Sequence, residues 1–215
     1  MCNRKEFNIL LARSECAKYY CADSLDQIDA ERATVAPELH RRLDWRSSRY
    51  LKHHCRVHYP QQRLLSLSHK KGCAAALLGP ADTETEMGTA AGIDLEYLQA
   101  RDFAALLPLF SRKNEIEWWQ TQDDAALVFY RLWTLKEALI KAANLHFPAD
   151  LNRVGLFADK KQGLTAGVAV QEAMQPWQHQ WFSPDDKLLI CCVWQGVFQA
   201  ALSVTEVVLS EETKQ

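Results

Sequence analysis

Two acidic residues stand two positions apart in the apolar segment AGIDLEYL, residues 91–98. Side chains alternate between the two faces of a β-strand, so Asp94 and Glu96 are predicted to share one face. Ile93 and Leu95 then point to the opposite face, into a core. Because two neighbouring carboxylates repel each other unless a cation lies close to them, the spacing predicts a strand that presents oxygen ligands to a metal ion.

A second set of charged residues lies on one predicted helix, in the segment WTLKEALIK at residues 133–141. Trp133, Glu137 and Lys141 recur four residues apart and therefore share one side of that helix. Taken alone, Glu137 and Lys141 would form a surface salt bridge of about 0.3–0.5 kcal/mol. Leucines cover much of the same helix, so we expect it to be buried and its charged groups to need partners.

The acids of the strand and the helix together would make a magnesium site. Adding Glu137 to Asp94 and Glu96 gives three hard oxygen ligands, a set that suits Mg²⁺, which also keeps waters and accepts substrate phosphates. Lys136 and Lys141 would stand beside those phosphates. The residues therefore favour phosphoryl chemistry at a divalent cation.

The chain that must hold these residues reads as a mixture of helices and strands. Good helix formers with acids at the start predict a long helix over residues 123–144. It is expected to end near Asn144, because asparagine tolerates the left-handed cap conformation. A further helical region is expected over residues 30–56, with Pro37 near a start or a break.

Strands and a short helix are expected between and after these regions. The segment 63–79 alternates and then turns apolar around Gly72, as a pair of strands would, and a turn-rich loop follows at 80–89. Residues 109–119 predict a short helix with Ser111 as its candidate N-cap. The remaining strands are expected in GLTAGVAV, HQWFSPDDKLLICCVWQ and FQAALSVTEVVLS.

The bulk composition is that of an ordinary globular protein. The chain has 215 residues, 48% hydrophobic and 24% charged, with a net charge of −2 that argues neither for nor against a charged partner. The order of helix, strands, helix and strands predicts an α+β protein with two halves, residues 1–100 and 101–215. No apolar run approaches the ~20 residues that a membrane span needs, and no secretory signal is recognised.

Cysteine usage suggests the compartment. Seven cysteines are present and none forms a CxxC pair, while Cys191 and Cys192 lie inside an apolar run that suits buried free thiols. A reducing cytoplasm is therefore expected.

A basic segment precedes the first predicted strand pair. RRLDWRSSRYLKHHCR, residues 41–56, carries six Lys and Arg residues against one acid, which suits either a phosphate-binding surface or a solvated helix face. His54 and His58 are four residues apart but lack paired cysteines at zinc-finger spacing. The chain has no P-loop, GxGxxG or GxSxG motif, so nucleotide hydrolysis, dinucleotide binding and serine esterase chemistry have no support.

The two chemical segments, taken together, resemble the 4'-phosphopantetheinyl transferase superfamily. Its signature has Gly-Ile/Val-Asp on a strand and, further along, an aromatic residue followed by Lys-Glu and a second lysine. Here these are Gly92-Ile93-Asp94 and the segment from Trp133 to Lys141. The upstream LSLSHKKG, the FSRKNEIEWW helix and the strand DDKLLICCVW resemble the monomeric type that activates surfactin synthetase.

The resemblance implies a fold and a reaction. The fold is a pseudo-dimer of two similar α+β halves, with coenzyme A bound in an active site between them. The reaction transfers the 4'-phosphopantetheine arm of coenzyme A to a serine of an apo acyl or peptidyl carrier protein and releases adenosine 3',5'-bisphosphate. By the same resemblance we expect a cytoplasmic monomer that binds no nucleic acid and no membrane.

The resemblance also implies roles for the acids and lysines. Asp94, Glu96 and Glu137 would hold Mg²⁺ against the pyrophosphate of coenzyme A. Glu137 would also take the proton of the serine, directly or through a water. Lys141 would contact the pyrophosphate and stabilise developing charge, and Lys136 would assist binding or orient its neighbours.

Further residues are implied in binding coenzyme A. His69 corresponds to the family histidine that contacts the 3'-phosphate, and Ser68 belongs to the same turn. Arg49 is our choice for another phosphate contact, with Arg46 as second choice, while Trp133 is expected to pack beneath the site.

Two other functions fit the same residues. A relative that holds coenzyme A or a carrier protein without turnover would be a binding module, although the three acids together with Lys141 argue against a dead site. A Mg²⁺-dependent phosphohydrolase would use the same acids and release adenosine 3',5'-bisphosphate in the absence of a carrier protein.

Overall fold

The computed structural model describes residues 7–81, 90–159, 163–170, 173–196 and 202–207. Backbone packing divides the chain into two units. Unit 1 comprises Met1–Asp82 and Gln199–Gln215, and unit 2 comprises Thr83–Phe198. The predicted division into halves at residue 100 stays a prediction, as does their pseudo-dimer relationship.

Helices and strands both contribute to the described residues. The strands are β1 (Asn8–Ala12), β2 (Gln62–Lys70), β3 (Cys73–Pro80), β4 (Ala91–Tyr97), β5 (Val154–Asp159), β6 (Gly163–Val170), β7 (Ala173–Pro176), β8 (Gln178–Phe182), β9 (Leu188–Trp194) and β10 (Val204–Glu206). The α-helices are α1 (Gln27–Val35), α2 (Leu43–His58), α3 (Phe103–Leu106), α4 (Lys113–Gln120) and α5 (Ala125–Ala142). Short 3₁₀ segments lie at Ser14–Tyr19, Ala22–Ser24, Pro37–Arg41, Leu107–Leu109 and Leu151–Arg153.

Unit 1 is built on a sheet of order β10-β1-β3-β2, in which β1 pairs with β10 in parallel and the other pairs are antiparallel. The predicted strand pair around Gly72 is confirmed as β2 and β3. Lys71 (φ 48°) and Gly72 (φ 86°) both adopt the left-handed conformation in the turn that joins them, and glycine adopts it at no steric cost. A helical region broken near Pro37 is also confirmed, because Pro37 starts the 3₁₀ segment between α1 and α2.

Helix α2 covers one face of this sheet. Its buried Leu51 and Cys55 join Leu10, Ala74 and Leu78 in one apolar cluster, so side chains two apart on the strands pack under the helix. The charged side of α2 is therefore directed away from this core.

Unit 2 holds two antiparallel sheets, of order β4-β9-β8 and β5-β6-β7. Its long helix α5 begins after Asp124, whose carboxylate caps the backbone N–H of Leu127 at 2.9 Å. The chain leaves the helix through Asn144, which adopts a φ of 51° as the sequence predicted. Helix α5 shares an apolar cluster with strand residues such as Leu189 and Val193.

The predicted short helix before α5 is present as α4, but its N-cap is Arg112 and not Ser111. The backbone N–H of Arg112 donates to the Glu115 carboxylate at 2.8 Å. The acid in the first turn thus reaches back to cap the helix, and it replaces the serine that we expected to do so.

The mixed α+β class is confirmed, and so are the buried free thiols. Cys191 and Cys192 are 0% and 1% exposed, and neither is in a disulfide. Burial raises the pKa of Cys192 to about 12 and that of Cys191 well above its ordinary value. Among the described residues, no helix is both long and apolar enough to cross a membrane. Most of the predicted loop at 80–89 lies outside the described residues.

Candidate active site

The acids of β4 share a face, as the alternation predicted. Asp94 and Glu96 are 5% and 7% exposed, and they stand opposite Cys191 and Leu189 of β9. Both of those β9 residues belong to the apolar cluster under α5, so the acids lie on the helix side of the sheet. Two carboxylates in so buried a position need cationic or hydrogen-bonding partners.

Lys141 supplies a cation to the first acid. Its Nζ lies 2.7 Å from Oδ1 of Asp94 and 3.3 Å from the backbone oxygen of Ile93. The lysine side chain is 30% exposed and the aspartate side chain 7%, so the ion pair lies at the edge of the core. The sequence placed both residues at the site but did not predict that they pair.

Trp133 supplies a hydrogen bond to the second acid. Its indole Nε1 donates to Oε1 of Glu96 over 3.3 Å. The indole ring is itself held by edge contacts with Phe110 and Phe147, at centroid distances of 4.9 and 6.1 Å. The expected packing role of Trp133 is therefore joined by a polar contact to the site, which the sequence did not indicate.

Glu137 lies on α5 midway between these two contacts. It is one helical turn from Trp133 and one from Lys141, on the same side of the helix, and its side chain is partly exposed. Since Trp133 and Lys141 both reach the β4 acids, Glu137 is on the helix face that points toward them. Its part in holding a metal or a proton stays a prediction.

Two of the three predicted ligands, Asp94 and Glu96, are neighbouring oxygen donors that fit Mg²⁺, and Glu137 as the third stays a prediction. Within the described ranges, no group of three or more His, Cys, Asp and Glu side chains is close enough to hold a metal ion. Asp94 and Glu96 remain as neighbouring hard oxygen donors. Mg²⁺ is commonly held by one or two carboxylates together with waters and substrate phosphates, so these two acids suit it.

Gly92 determines how closely α5 approaches β4. A Cβ atom at this position would lie 2.2 Å from the backbone oxygen of Ala138 and 2.9 Å from the Cβ of Ala142. Backbone atoms cannot yield as a flexible side chain can, so only glycine permits this helix–strand distance. The glycine of the Gly-Ile-Asp segment thus positions the acids two and four residues later.

Lys136 is held inside unit 2. Its side chain is 0% exposed, and Nζ lies 3.0 Å from the buried carboxylate of Glu115. It also donates to the backbone oxygens of Leu151 and Val154, at 3.1 and 2.7 Å. Burial lowers the pKa of Lys136 to about 8, while the charge of Glu115 opposes that shift. Of its two expected roles, this position favours orienting neighbours over contacting coenzyme A.

Unit 1 carries a separate basic pocket of about 230 Å³. It is lined by Arg32, Leu39, Arg42, Trp45, Arg49 and His69. The structure thus brings together two of the predicted phosphate contacts, Arg49 and His69, and adds two arginines that the sequence did not single out. A pocket with three guanidinium groups and an imidazole suits a phosphate group.

Arg49 is fixed from two sides. Its Nε lies 3.0 Å from Oδ2 of the buried Asp29, and its guanidinium stacks 4.0 Å above the Trp45 ring. Burial lowers the pKa of Arg49, and the charge of Asp29 opposes that shift. Lys52 also reaches Asp29, at 2.7 Å, so this acid holds two basic residues of α2.

The other predicted contacts occupy different positions. Ser68 is buried on β2 beside His69, but it does not line the pocket. Arg46 lies 6.0 Å from the Tyr20 ring centroid and is likewise not part of the pocket wall. Arg49 is therefore better placed for a phosphate than Arg46.

Comparison with known proteins identifies the segment that holds the β4 acids and α5. Residues 90–193 match the sequence model of the 4'-phosphopantetheinyl transferase superfamily. This match covers just under half of the chain and includes Asp94, Glu96 and the whole of α5. In addition, 88 residues are 35% identical to the "Putative 4'-phosphopantetheinyl transferase" of Haemophilus influenzae (strain ATCC 51907 / DSM 11121 / KW20 / Rd). That alignment covers 40% of this chain and 36% of the relative, so it spans about a third of the relative's length.

The segment that matches the superfamily model contains both contacts that the sequence did not predict. Trp133 with Glu96, and Lys141 with Asp94, each join residues more than 35 positions apart. Such pairs depend on how a helix rests on a sheet, which no local spacing encodes. In unit 1, Arg32 and Arg42 were also missed as parts of a pocket, although the excess of positive charge over residues 41–56 was a signal that could have found Arg42.

Proposed function

We propose that this protein transfers the 4'-phosphopantetheine arm of coenzyme A to a serine of an apo carrier protein, in a Mg²⁺-dependent reaction that releases adenosine 3',5'-bisphosphate. The observation that carries the proposal is the Asp94–Lys141 ion pair, with Glu96 beside it, inside the segment that matches the transferase superfamily. Two buried carboxylates next to a partly exposed lysine side chain suit a substrate pyrophosphate and its counter-ion.

We assign a role in this reaction to each of the site residues of unit 2. Asp94 and Glu96 would hold Mg²⁺, with Glu137 as third ligand, and the metal would neutralise charge on the pyrophosphate. Trp133 keeps Glu96 oriented through its indole N–H. Lys141 donates to a pyrophosphate oxygen and stabilises the charge that develops there.

The reaction itself is an in-line displacement at phosphorus. The serine oxygen of the carrier attacks the β-phosphorus of coenzyme A, and the bond from that phosphorus to the bridging oxygen breaks. The serine proton passes to Glu137, directly or through a water, and the bridging oxygen leaves on adenosine 3',5'-bisphosphate. Glu137 is suited to this role because it lies one helical turn from Lys141, near the phosphate that the lysine would bind.

The basic pocket of unit 1 is assigned to the 3'-phosphate of coenzyme A. His69 and Arg49 are its proposed contacts, with Ser68 next to His69 on β2. Three arginines and a histidine around a pocket of about 230 Å³ support this assignment, because charge-assisted hydrogen bonds to a phosphate are strong ones.

The finer assignments rest on the resemblance. We propose holo-acyl-carrier-protein synthase activity of the monomeric surfactin-synthetase-activating type, in the cytoplasm. The partner is an acyl or peptidyl carrier protein, whose acidic helix would meet basic and apolar surface near the site. Nucleic acids and membranes are not expected partners.

The test is the intact mass of an apo acyl carrier protein after incubation with this protein, coenzyme A and Mg²⁺. A mass gain of one phosphopantetheine arm that disappears with EDTA supports the proposal. Release of adenosine 3',5'-bisphosphate without any carrier would show a phosphohydrolase instead. Binding of coenzyme A without mass gain, across acyl and peptidyl carriers, would show a binding module.

A further inference from the structure

An acid contacts two of the side chains that line the basic pocket of unit 1, Arg42 and His69. Asp44, in the first turn of α2, accepts from Arg42 through both carboxylate oxygens, at 3.3 and 2.9 Å. Oδ2 also lies 3.4 Å from Nδ1 of His69. The backbone N–H of Trp45 donates to Oδ1 at 3.0 Å, so the carboxylate is attached to the start of the helix.

This acid stays ionised beside its partners. Burial raises the pKa of Asp44, but the hydrogen bond and charge of Arg42 and the charge of His69 outweigh burial and leave that pKa below its usual value. A permanent negative charge therefore stands next to a place that suits a phosphate. It either competes with the phosphate for the basic groups or holds those groups ready for it.

The geometry favours the second role. The Arg42 side chain is 56% exposed, and a long exposed arginine loses rotamer freedom when it binds a ligand unless another group already holds it. The paired oxygens of Asp44 match the fork of the guanidinium and fix its plane. For His69, the Asp44 carboxylate lies 3.4 Å from Nδ1 and places a negative charge beside one edge of the ring.

A second acid pairs with other basic side chains of the pocket. Arg49 contacts Asp29 as Arg42 contacts Asp44, and the Asp29 side chain is only 2% exposed. Arg32 also lies within 3.9 Å of Asp29. Every basic side chain that lines the pocket is thus paired with one of two acids, which is typical of a preorganised anion site.

We propose that Asp44 is a positioning residue, which holds Arg42 and His69 for the 3'-phosphate of a nucleotide and so sets the preference of the pocket for ligands that carry this group. The inference rests on the proposed function, which assigns this pocket to the 3'-phosphate of coenzyme A. Charge repulsion alone predicts that removing the negative charge of Asp44 would strengthen the binding of an anion. The proposal predicts the opposite, that removing this charge weakens the binding.

The experiment measures binding by titration calorimetry with the full chain, without metal or carrier protein. The ligands are adenosine 3',5'-bisphosphate and adenosine 5'-monophosphate, which lacks the 3'-phosphate. The variants are Asp44→Asn and, as a matched control, Asp23→Asn, which removes an exposed acid of unit 1. We expect Asp44→Asn to weaken the bisphosphate about tenfold, which corresponds to about 1.4 kcal/mol, and to leave the monophosphate nearly unchanged. Asp23→Asn should change neither affinity.

Three outcomes would overturn the inference. Tighter binding of the bisphosphate by Asp44→Asn would show that the acid competes with the phosphate, and unchanged binding would show that it has no role. Equal losses for both ligands, together with a lower melting temperature, would show that Asp44 only supports the fold. In these cases the mass assay of the proposed function can still succeed, so the two failures are distinguishable.

If Asp44→Asn is poorly stable, a double-mutant cycle with His69→Ala tests the inference in a second way. In a His69→Ala background, Asp44→Asn should cost less bisphosphate affinity than it does alone, because one of the groups it positions is already gone. Additive losses would contradict the proposed link between Asp44 and His69. A wild-type chain that binds neither nucleotide would overturn the assignment of the pocket and this inference with it.

Discussion

The ammonium group of Lys141 lies 2.7 Å from Oδ1 of Asp94, and this ion pair joins the last turn of α5 to the middle of β4. One residue comes from the Gly-Ile-Asp segment and the other from the Lys-Glu helix, so the pair connects the two parts of the sequence signature. A substrate phosphate that displaces Asp94 from Lys141 would leave that carboxylate available to a cation. The contact therefore links anion binding to metal binding at one place.

The proposed base is tested by Glu137→Gln. The amide keeps the size of the side chain but cannot take the serine proton, so we expect kcat to fall by about 10²–10⁴-fold with little change in melting temperature. Phosphopantetheine transfer is followed by intact mass of the carrier at saturating coenzyme A. Activity above about a tenth of wild type would exclude Glu137 as the base.

Metal binding is tested by Asp94→Asn. Replacing an anionic ligand by a neutral amide should raise the Mg²⁺ concentration that gives half-maximal rate and should lower kcat at saturating Mg²⁺ at least about tenfold. The measurement is a Mg²⁺ titration of the transfer rate, with wild type in parallel. If the titration midpoint does not move, Asp94 is not a metal ligand.

The hydrogen bond from Trp133 to Glu96 is tested by Trp133→Phe. The ring still packs against Phe110, but the N–H that orients the carboxylate is lost, so the Mg²⁺ requirement should rise by about tenfold. Trp119→Phe is the matched control, because its indole N–H donates to the backbone oxygen of Ala125 and not to a site residue. Equal changes in the two variants would mean that the effect comes from packing alone.

The contact of His69 is tested with two donors. His69→Ala should raise KM for coenzyme A about tenfold and lower kcat less, since the 3'-phosphate is remote from the reacting phosphorus. With dephospho-coenzyme A, which lacks that phosphate, wild type and variant should have similar KM values. A similar loss with both donors would show that His69 acts elsewhere.

The buried ion pair of Lys136 is tested through stability. Glu115→Gln leaves a lysine charge at a fully buried position, so the free energy of unfolding should fall by about 3–5 kcal/mol at pH 7 in urea denaturation. Glu117→Gln on the same helix breaks only the exposed pair with Lys113 and should stay close to wild type.

The pH dependence of that loss has a definite sign. The folded-state pKa of Lys136 is lowered to about 8, below its value in the unfolded chain, because burial disfavours the charged amine. Losing Glu115 lowers this pKa further, so the variant's deficit is largest at pH values below its own, lower Lys136 pKa. The deficit should shrink as the pH rises from that pKa to about 8, above which both proteins hold a neutral lysine. A deficit that grows with pH would contradict the buried pair.

Sequence reasoning was strongest where one element alone determines the result. The shared face of Asp94 and Glu96 follows from strand alternation, and the end of α5 at Asn144 follows from the conformations that asparagine tolerates. The turn at Gly72 was likewise recognisable, since a break between two apolar segments needs a residue that accepts positive φ.

Prediction from the sequence was weakest for contacts between two different helices or strands. Lys136 was expected either to assist the binding of coenzyme A or to orient its neighbours, and the sequence did not indicate its contacts with Glu115 and the start of β5. The helix turns by about 100° per residue, so adjacent side chains on α5 serve different surroundings. Ser111 was misplaced as a cap for a related reason, because a capping acid three residues further on is as effective as a hydroxyl.

The space left by the missing side chain of Gly92 has a mechanical consequence. Helix α5 rests directly on the strand backbone, with no compressible layer between Ala138 and Gly92. Trp133 lies before this contact on α5 and Lys141 lies within it, and each reaches one of the two acids. Any residue with a Cβ at position 92 would force α5 away from β4. Asp94 would then lose its contact with Lys141, and Glu96 its contact with Trp133. Gly92, the smallest residue of the motif, thus sets the distance between α5 and β4 on which both contacts depend.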